Sequence, residues 1–162
     1  VGRVRRVWLE PNDAPAFPAV IQAILSADLI IVGPGSLYTS ILPNLLVNDV
    51  LEAVRASRGL KVFVVNLINQ GGETEGYSAS DHIHTIQEVI GADIFNIVVC
   101  NSWYDIKFGK DKRWVQVDPE MIRDARLYQA DLADHDDPIH HDAEKLGKAL
   151  MDLFFERTGP LG

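Results

Sequence analysis

Short apolar runs alternate along the chain with longer stretches in which apolar residues recur every three or four positions. The runs at Leu29–Val32, Lys61–Asn66 and Ile94–Val99 are continuous and rich in β-branched residues, which predicts strands buried on both faces. Val4–Leu9 alternates enough to predict a first, peripheral strand, and Leu127–Leu132 predicts a last one. Strands that alternate with amphipathic stretches in this way are typical of βαβ units.

Helices are predicted between these strands, each from an apolar stripe and a polar residue that caps its start. The first begins at Asp13 with Pro15 in its first turn, and the second covers Asp49–Ser57. Ser80 caps a third helix, and Gly91 stands in the position expected after its end. Another helix is predicted to start at Asp118, and a C-terminal helix covers Asp142–Arg157. The apolar stripe of the first helix is Phe17, Val20, Ile21, Ile24 and Leu25, and that of the last helix is Ala143, Leu146, Leu150, Leu153 and Phe154.

The order of these elements predicts the fold class. Consecutive strands joined by helices form a mostly parallel sheet that helices cover on both faces. We therefore expect a three-layer α/β/α fold with a Rossmann-like sheet, in a single domain over residues 1–162.

Composition narrows the class of protein. The chain has 15 Lys and Arg against 23 Asp and Glu, a formal net charge of −8, which argues against nucleic-acid binding through the phosphate backbone. The single cysteine, Cys100, excludes a disulfide scaffold and indicates a reducing, cytoplasmic compartment; it is most simply a small buried hydrophobe. No apolar run approaches the ~20 residues of a membrane span, and the N-terminus lacks a signal-peptide pattern. The chain opens without Met inside a predicted strand, so we expect that something precedes it.

Ligands of open parallel sheets bind beyond the carboxyl ends of the strands, where loops lead into helix starts. This rule selects three loops, Gly33–Ser40, Asn66–Ser80 and Asn101–Arg113. All three contain more Gly, Asn, Ser, Thr and aromatic residues than a simple connection needs. Candidate chemistry is therefore expected at this edge of the sheet.

The first of these loops, Gly33–Ser40, directly follows a predicted strand. Proline is tolerated only in the first turn of a helix, so Pro43 helps to fix the next helix with Ser40 as its cap. The amides of Ile41 and Leu42 would then be free and would point at the loop, and a glycine pair beside such amides favours a phosphate-type anion. The alternative is that the glycines only form a tight turn and the hydroxyls only cap.

The second loop, Asn66–Tyr77, is long for a strand-to-helix connection and rich in amides and glycines. Asn66, Asn69 and Gln70 can each donate and accept hydrogen bonds, which suits the edge of a base or the hydroxyls of a sugar. The alternative is a surface loop whose turns satisfy their own polar groups.

Histidines and acidic residues could bind a metal ion or act in acid–base catalysis, but each of them also has a simpler structural explanation. His82 and His84 lie two positions apart on a predicted helix, too far around its axis to share a metal ion. Asp81 and His82 could act as an acid–base pair, but the helix dipole already explains an acidic residue at a helix start. The His and Asp residues between 131 and 142 could form a metal cluster, although a solvated acidic loop is the simpler interpretation.

Trp103 and Tyr104 stand in the third loop. Aromatic side chains at this position suit either stacking on a base or sealing the edge of the sheet, and the sequence does not separate the two.

Ala27–Val47, with the sequence ADLIIVGPGSLYTSILPNLLV, closely resembles a signature of the gluconeogenesis-factor family, which belongs with the CofD 2-phospho-L-lactate transferases of coenzyme F420 synthesis. Asn66–Thr74 followed by Asp81 and His82 matches a second block of that family. The similarity runs essentially over Val4–Phe155 and resembles the C-terminal half of the family's chain, without its glycine-rich first turn. His141-Asp142 with Lys145-Leu146 matches a third block of the family. The chain departs from the family pattern at three places: it has Asn48-Asp49, Asn69 and His140 where the family usually has Pro-Gly, Thr and Arg.

The resemblance implies a three-layer α/β protein that binds a nucleotide or nucleotide sugar. The regulator branch of the family binds UDP-sugars and supports cell-wall synthesis and cell shape, and the transferase branch moves a phospholactyl group from a guanosine diphosphate carrier to a deazaflavin with Mg²⁺. The amino-acid sequence of the first loop is similar to that of the regulator branch. The expected ligand-binding residues are Gly33, Pro34, Gly35, Ser36, Tyr38, Thr39, Ser40, Asn44, Asn66, Asn69, Gln70, Glu73 and Thr74.

Three functions are consistent with the sequence. A binding and regulatory module would hold a diphosphate on Gly33–Ser40 and a sugar or base near Asn66–Thr74, without a tightly bound cofactor but with Mg²⁺ as a companion of the nucleotide. An enzyme would need an acceptor pocket and an acid–base pair, for which Asp81, His82 and the third loop are the only candidates. An assembly module would pair the exposed end of its sheet with a second copy or with the missing half of the family's chain. We expect the first of these, with no catalytic residue and no nucleic-acid partner.

Overall fold

Four parallel strands and six α-helices make up the described part of the chain, which is residues 4–109 and 112–159 of the computed structural model. The strands follow one another in chain order across the sheet as β1-β2-β3-β4: Leu29–Val32, Leu60–Val64, Ile97–Asn101 and Leu127–Ala130. The helices are α1 (Pro18–Ser26), α2 (Leu42–Leu45), α3 (Asn48–Ala56), α4 (Ala79–Ile90), α5 (Pro119–Arg123) and α6 (Ala143–Thr158), and a π-helical turn over Leu37–Ile41 leads directly into α2.

The two central strands, β2 and β3, divide the core between the two faces of the sheet. Phe63 and Val98 point to one face and pack against side chains from α2, α3, α4 and α5. Val62 and Val99 point to the other face and pack under α6. This arrangement confirms the predicted Rossmann-like α/β fold with a parallel sheet. None of the helices in the described ranges is long and apolar enough to cross a membrane.

Strand β1 differs from the prediction that it is buried on both faces. It lies at the edge of the sheet and pairs with β2 alone among the described strands, and the side chain of Ile31 is 44% exposed. Helix α1 beside it has no buried residue, and Phe17 at its start is 72% exposed. The apolar run therefore marks a strand that has apolar surface open on this side of the described structure.

The N-terminal predictions were wrong in two places. Val4–Leu9 forms no strand, because no neighbouring strand pairs with it in the described structure; Val4 and Val7 only pack against the core. Helix α1 begins at Pro18 and not at Asp13. A residue before proline avoids the helical conformation, and Phe17 accordingly has an extended backbone with φ −64° and ψ 127°.

Side-chain caps fix the starts of α4, α5 and α6 close to the predicted positions. Asp118 and Asp142 cap α5 and α6, and Gly91 ends α4 with a left-handed backbone, as predicted. The cap of α4 is Ser78 and not Ser80: the hydroxyl of Ser78 accepts a hydrogen bond from the amide of Asp81, and the carboxylate of Asp81 accepts one from the amide of Ser78. The hydroxyl of Ser80 donates to Asp118 instead, at 2.7 Å.

Candidate functional site

A cavity of about 500 Å³ lies beyond the carboxyl ends of β1 and β2, where the first two loops meet. Three segments of the described chain line it, and none of the lining residues within 4–109 and 112–159 is a lysine or an arginine. A volume of this size is within the range of pockets that hold small-molecule ligands. The lining residues are Pro34, Gly35, Ser36, Asn66, Leu67, Ile68, Gln70, Ile139, His140 and His141.

Gly33 brings the first loop close to strand β2. Its φ of +82° belongs to the left-handed region, and a Cβ atom at this position would stand 2.7 Å from the carbonyl oxygen of Val64. Gly35 then forms two hydrogen bonds with the side chain of Asn66: its amide donates to Oδ1 and its carbonyl accepts from Nδ2, both at 2.9 Å. Asn66 therefore joins the first loop to the second through two hydrogen bonds.

The helix start in the first loop differs from the prediction. Ser36, and not Ser40, is the cap: its hydroxyl accepts from the amide of Thr39, and its carbonyl accepts from the amides of Ser40 and Ile41 at 3.0 Å. The amide of Leu42 donates to the carbonyl of Leu37. The amides of Ile41 and Leu42 are thus occupied, because the π-helical turn starts one turn earlier than a helix capped by Ser40 would.

A carboxylate stands next to the cap of this turn. Ser36 donates a hydrogen bond of 2.5 Å to Glu73 of the second loop and accepts one of 2.6 Å from the hydroxyl of Thr39. An anion bound beside Ser36 would therefore meet the carboxylate of Glu73, which opposes its binding.

The second loop uses several of its polar side chains for its own structure. Asn69 is buried, donates to the carbonyl of Tyr77 and accepts from the amide of Gly76, both at 2.9 Å. Thr74 is fully buried and accepts from the amide of Gln70. These two side chains stabilise the loop, as the alternative interpretation of the sequence expects. Their predicted role in ligand binding stays a prediction without geometric support.

The expected ligand-binding residues separate into two sets. Five of them line the cavity: Pro34, Gly35, Ser36, Asn66 and Gln70. The others lie outside its lining. Ser40 and Asn44 line a separate apolar groove beside β1, and Asn44 donates to the carbonyl of Ser40. Tyr38 is buried with its hydroxyl 2.7 Å from that of Tyr77, and burial raises the pKa of Tyr38 to about 12.

Ile139, His140 and His141 form a wall of the cavity that was not among the expected ligand-binding residues. His141 forms an isolated bridge with Ala133, which holds this segment beside the sheet. Burial lowers the pKa of His141 to about 4, so its imidazole is neutral at pH 7. The sequence signal that could have identified this wall is the third family block, which begins at His141.

Asp81 and His82, the candidate acid–base pair, both form hydrogen bonds with Ser78 at the start of helix α4. The carboxylate of Asp81 accepts from Ser78, and His82 is 1% exposed with Nδ1 2.8 Å from the carbonyl of Ser78. Burial lowers the pKa of His82. Neither residue lines the cavity.

The third loop and the acidic loop pack against each other. Trp103 stacks on His135 with ring centroids 4.1 Å apart and contacts Trp114 edge to face. Trp103 and Tyr104 belong to the core cluster under α6, which is the sealing role that the sequence left open. No group of three or more His, Cys, Asp or Glu side chains that could hold a metal ion occurs in residues 4–109 and 112–159.

The family model described as 2-phospho-L-lactate transferase CofD matches residues 1–156. The chain belongs to the CofD family. Among its CofD-family relatives, the gluconeogenesis factor of Listeria monocytogenes is 34% identical over 161 residues, which is 96% of this chain and 50% of the relative. The gluconeogenesis factor of Bacillus subtilis is 37% identical over 169 residues, 95% of this chain and 51% of the relative.

A crystal structure of a protein of the UPF0052 family from Bacillus halodurans superimposes on this CofD-family chain with a TM-score of 0.81 and 32% identity. The match covers 92% of this chain and 51% of that protein. The chain therefore spans about half the length of the relatives that it matches.

Proposed function

We propose that this chain is a cytoplasmic nucleotide-sugar-binding module with a regulatory role in cell-wall synthesis, cell shape and carbon metabolism. The observation that carries the proposal is the cavity of about 500 Å³ at which the first loop and the second loop meet. The resemblance of the first loop to the regulator branch of the family favours a UDP-sugar such as UDP-N-acetylglucosamine. The cytoplasmic location rests on the single free thiol of Cys100.

In this proposal the diphosphate lies against the first loop. Backbone hydrogen bonds of the π-helical turn start with the amide of Ser40, and the amide of Thr39 donates to Ser36. The amide of Ser36, which lines the cavity, comes before them and is the donor that we assign to the phosphate, together with nearby hydroxyls. Because no lysine or arginine among the described residues lines the cavity, we assign the anion to dipoles and hydroxyls.

The uncharged part of the ligand would lie between the second loop and the wall at 139–141. Leu67, Ile68 and Ile139 supply apolar contact there, and Asn66 and Gln70 supply polar groups. A sugar or a base presents this mixture of apolar faces and hydrogen-bonding edges.

Mg²⁺ fits the site as a companion of the nucleotide and not as a resident ion. Mg²⁺ bound with phosphates needs only one or two carboxylates, since phosphate oxygens and water fill the remaining positions. Glu73, which accepts from Ser36, is the carboxylate that would hold it. The ion would neutralise the charge that otherwise opposes the phosphate at this loop.

A thermal-shift panel with UDP-N-acetylglucosamine, GDP, NAD and Mg²⁺ tests the proposal. We expect stabilisation by UDP-N-acetylglucosamine, increased by Mg²⁺, and little effect of NAD. Stabilisation by GDP but not by the UDP-sugar would contradict the regulatory proposal and would favour the second candidate, a CofD-like phospholactyl transferase. The description of the matching family model is the observation that favours this second candidate.

The third candidate is an assembly module, and the open side of β1 favours it. Val20 and Ile31 are 42% and 44% exposed, and both line an apolar groove of about 400 Å³. Apolar edges of parallel sheets are normally covered. Dimers in light scattering at micromolar concentration, together with no stabilisation by any ligand in the panel, would favour assembly as the main function.

A further inference from the structure

The third loop carries a second concave surface, which differs from the cavity in charge. It is a groove of about 450 Å³ whose lining includes Lys107, Lys112 and Arg113, all exposed, beside the rings of Phe108 and Trp114. The chain as a whole has a net charge of −8, and the cavity lining has no lysine or arginine in the part of the chain that the structure describes. Three positive charges in one groove are therefore a local exception to the charge of the protein.

Trp114 fixes the shape of this groove. It is 9% exposed, and its Nε1 donates a hydrogen bond of 2.7 Å to the carbonyl of Ile106. Its ring lies 4.7 Å from the ring of Phe108 and 5.7 Å from that of Tyr104, measured between centroids. Because Ile106 and Trp114 are joined in this way, Lys107 is held on the same groove as Arg113.

The groove is also tied to the second loop. The carbonyl of Arg113 accepts from the amide of Asn69 at 2.8 Å, the amide of Val115 donates to the carbonyl of Leu67, and Trp114 pairs with Ile68 in an antiparallel bridge. Residues 113–115, which include Arg113 and Trp114 of the groove, therefore run beside residues 67–69 of the second loop, and Leu67 and Ile68 of that loop line the cavity. The base of the groove is built from ordered backbone and not from side chains alone.

We propose that this groove is a separate anion site, which binds the phosphate of a small phosphorylated molecule through Lys107, Lys112 and Arg113. The planar guanidinium of Arg113 matches two phosphate oxygens at once, and the two ammonium groups add charge without a fixed direction. The apolar faces of the rings suit the uncharged part of such a molecule. The net charge of −8 works against a long nucleic acid, and a groove of this volume suits a small ligand.

Inorganic pyrophosphate is the probe that tests this site, by isothermal titration of the complete chain. The variant Lys107→Gln/Lys112→Gln/Arg113→Gln should bind pyrophosphate at least tenfold more weakly than the wild type, and with a weaker dependence on salt. The matched control is Arg58→Gln/Arg123→Gln/Arg157→Gln, which removes the same charge from three other exposed positions. It should stay within about twofold of the wild type. All six side chains are exposed, and circular dichroism verifies that both variants are folded.

Four outcomes overturn the proposal. The first is an equal loss of pyrophosphate affinity in both triple variants, which indicates unspecific attraction, and the second is no loss of affinity in the groove variant. The third is a complete loss of pyrophosphate binding in Ser36→Asp alone, which places the anion on the first loop. The fourth is tight binding of a single-stranded oligonucleotide through the same three residues without pyrophosphate binding. Failure of the proposed function appears differently, as the absence of any effect of UDP-N-acetylglucosamine on a wild type that still binds pyrophosphate.

Discussion

The first and second loops follow neighbouring parallel strands and meet at one cavity, but they keep their shape by different means. Backbone hydrogen bonds from Ser40 and Ile41 to Ser36 hold the first loop, so its hydroxyl groups cluster at the helix start. Buried side chains hold the second loop, chiefly Asn69 and Thr74. The same residue types therefore serve a possible ligand in one loop and the fold in the other.

This difference shows why composition alone overestimates a binding site. An amide side chain that is buried by the fold is closed to a ligand, even where it has hydrogen-bonding capacity left. Asn69 is in that position, whereas Asn66 joins the two loops at the cavity itself. The predictions below test this contrast, in order of decreasing effect.

Ser36→Asp should abolish binding of UDP-N-acetylglucosamine. Like charges ~4 Å apart repel by about 4 kcal/mol at an effective dielectric constant of ~20, which corresponds to roughly a thousandfold loss of affinity. The measurement is the dissociation constant by isothermal titration. The control Ser102→Asp adds the same charge at an exposed position outside the cavity lining and should change affinity less than about threefold. Unchanged affinity in Ser36→Asp would place the phosphates elsewhere.

Asn69→Ala should destabilise the fold rather than the complex. It leaves the carbonyl of Tyr77 and the amide of Gly76 without partners, at a cost of about 3 kcal/mol for the two hydrogen bonds and the space left behind. A chain of this size should then melt about 8 °C lower in a calorimetric scan.

The control for that change is Asn44→Ala, whose exposed side chain makes one hydrogen bond to the carbonyl of Ser40. It should cost less than about 1 kcal/mol. A normal melting temperature for Asn69→Ala with a large loss of ligand affinity would show that Asn69 contacts the ligand after all.

Asn66→Asp should weaken the junction between the two loops. A carboxylate still accepts from the amide of Gly35, but its second oxygen then faces the carbonyl of Gly35, which can only accept. We expect a loss of about 2 kcal/mol in the free energy of unfolding, measured in urea. Asn96→Asp is the matched control, because Asn96 uses only its oxygen, as acceptor for the amide of Lys61. Equal stability of both variants would mean that the junction does not stabilise the loops.

The periodic elements of this fold were predictable because their signal is local. An apolar stripe and a cap define α4 and α6 within a few residues, and the apolar runs define β2 and β3. Errors arose where two polar residues compete for one helix start, as Ser36 does with Ser40. Both candidates are serines in the same loop, so the residue type does not distinguish them. The backbone hydrogen bonds of the folded turn determine that Ser36 is the cap.

The candidate site was predictable only in part, for a physical reason. The rule on carboxyl ends of parallel strands located the two loops correctly at one cavity. The wall at Ile139–His141 comes from a segment about 70 residues further along the chain, and packing beside the sheet places it. The satisfied state of Asn69 likewise depends on Gly76 and Tyr77, so no single position indicates it.

Glu73→Gln should have the smallest effect and the most specific one. It removes the negative charge that accepts from Ser36 while keeping an oxygen that can still accept. Without Mg²⁺ the variant should bind UDP-N-acetylglucosamine about fivefold more tightly than the wild type, since about 1 kcal/mol of repulsion between solvated charges is lost. With Mg²⁺ the wild type should gain at least fivefold and the variant less than twofold, because the ion then lacks its carboxylate. The exposed neighbour Glu75 provides the control Glu75→Gln, which should respond to Mg²⁺ as the wild type does. An equal response of all three proteins to Mg²⁺ would remove Glu73 from the ion's coordination and leave the first loop to bind its anion through amides and hydroxyls alone.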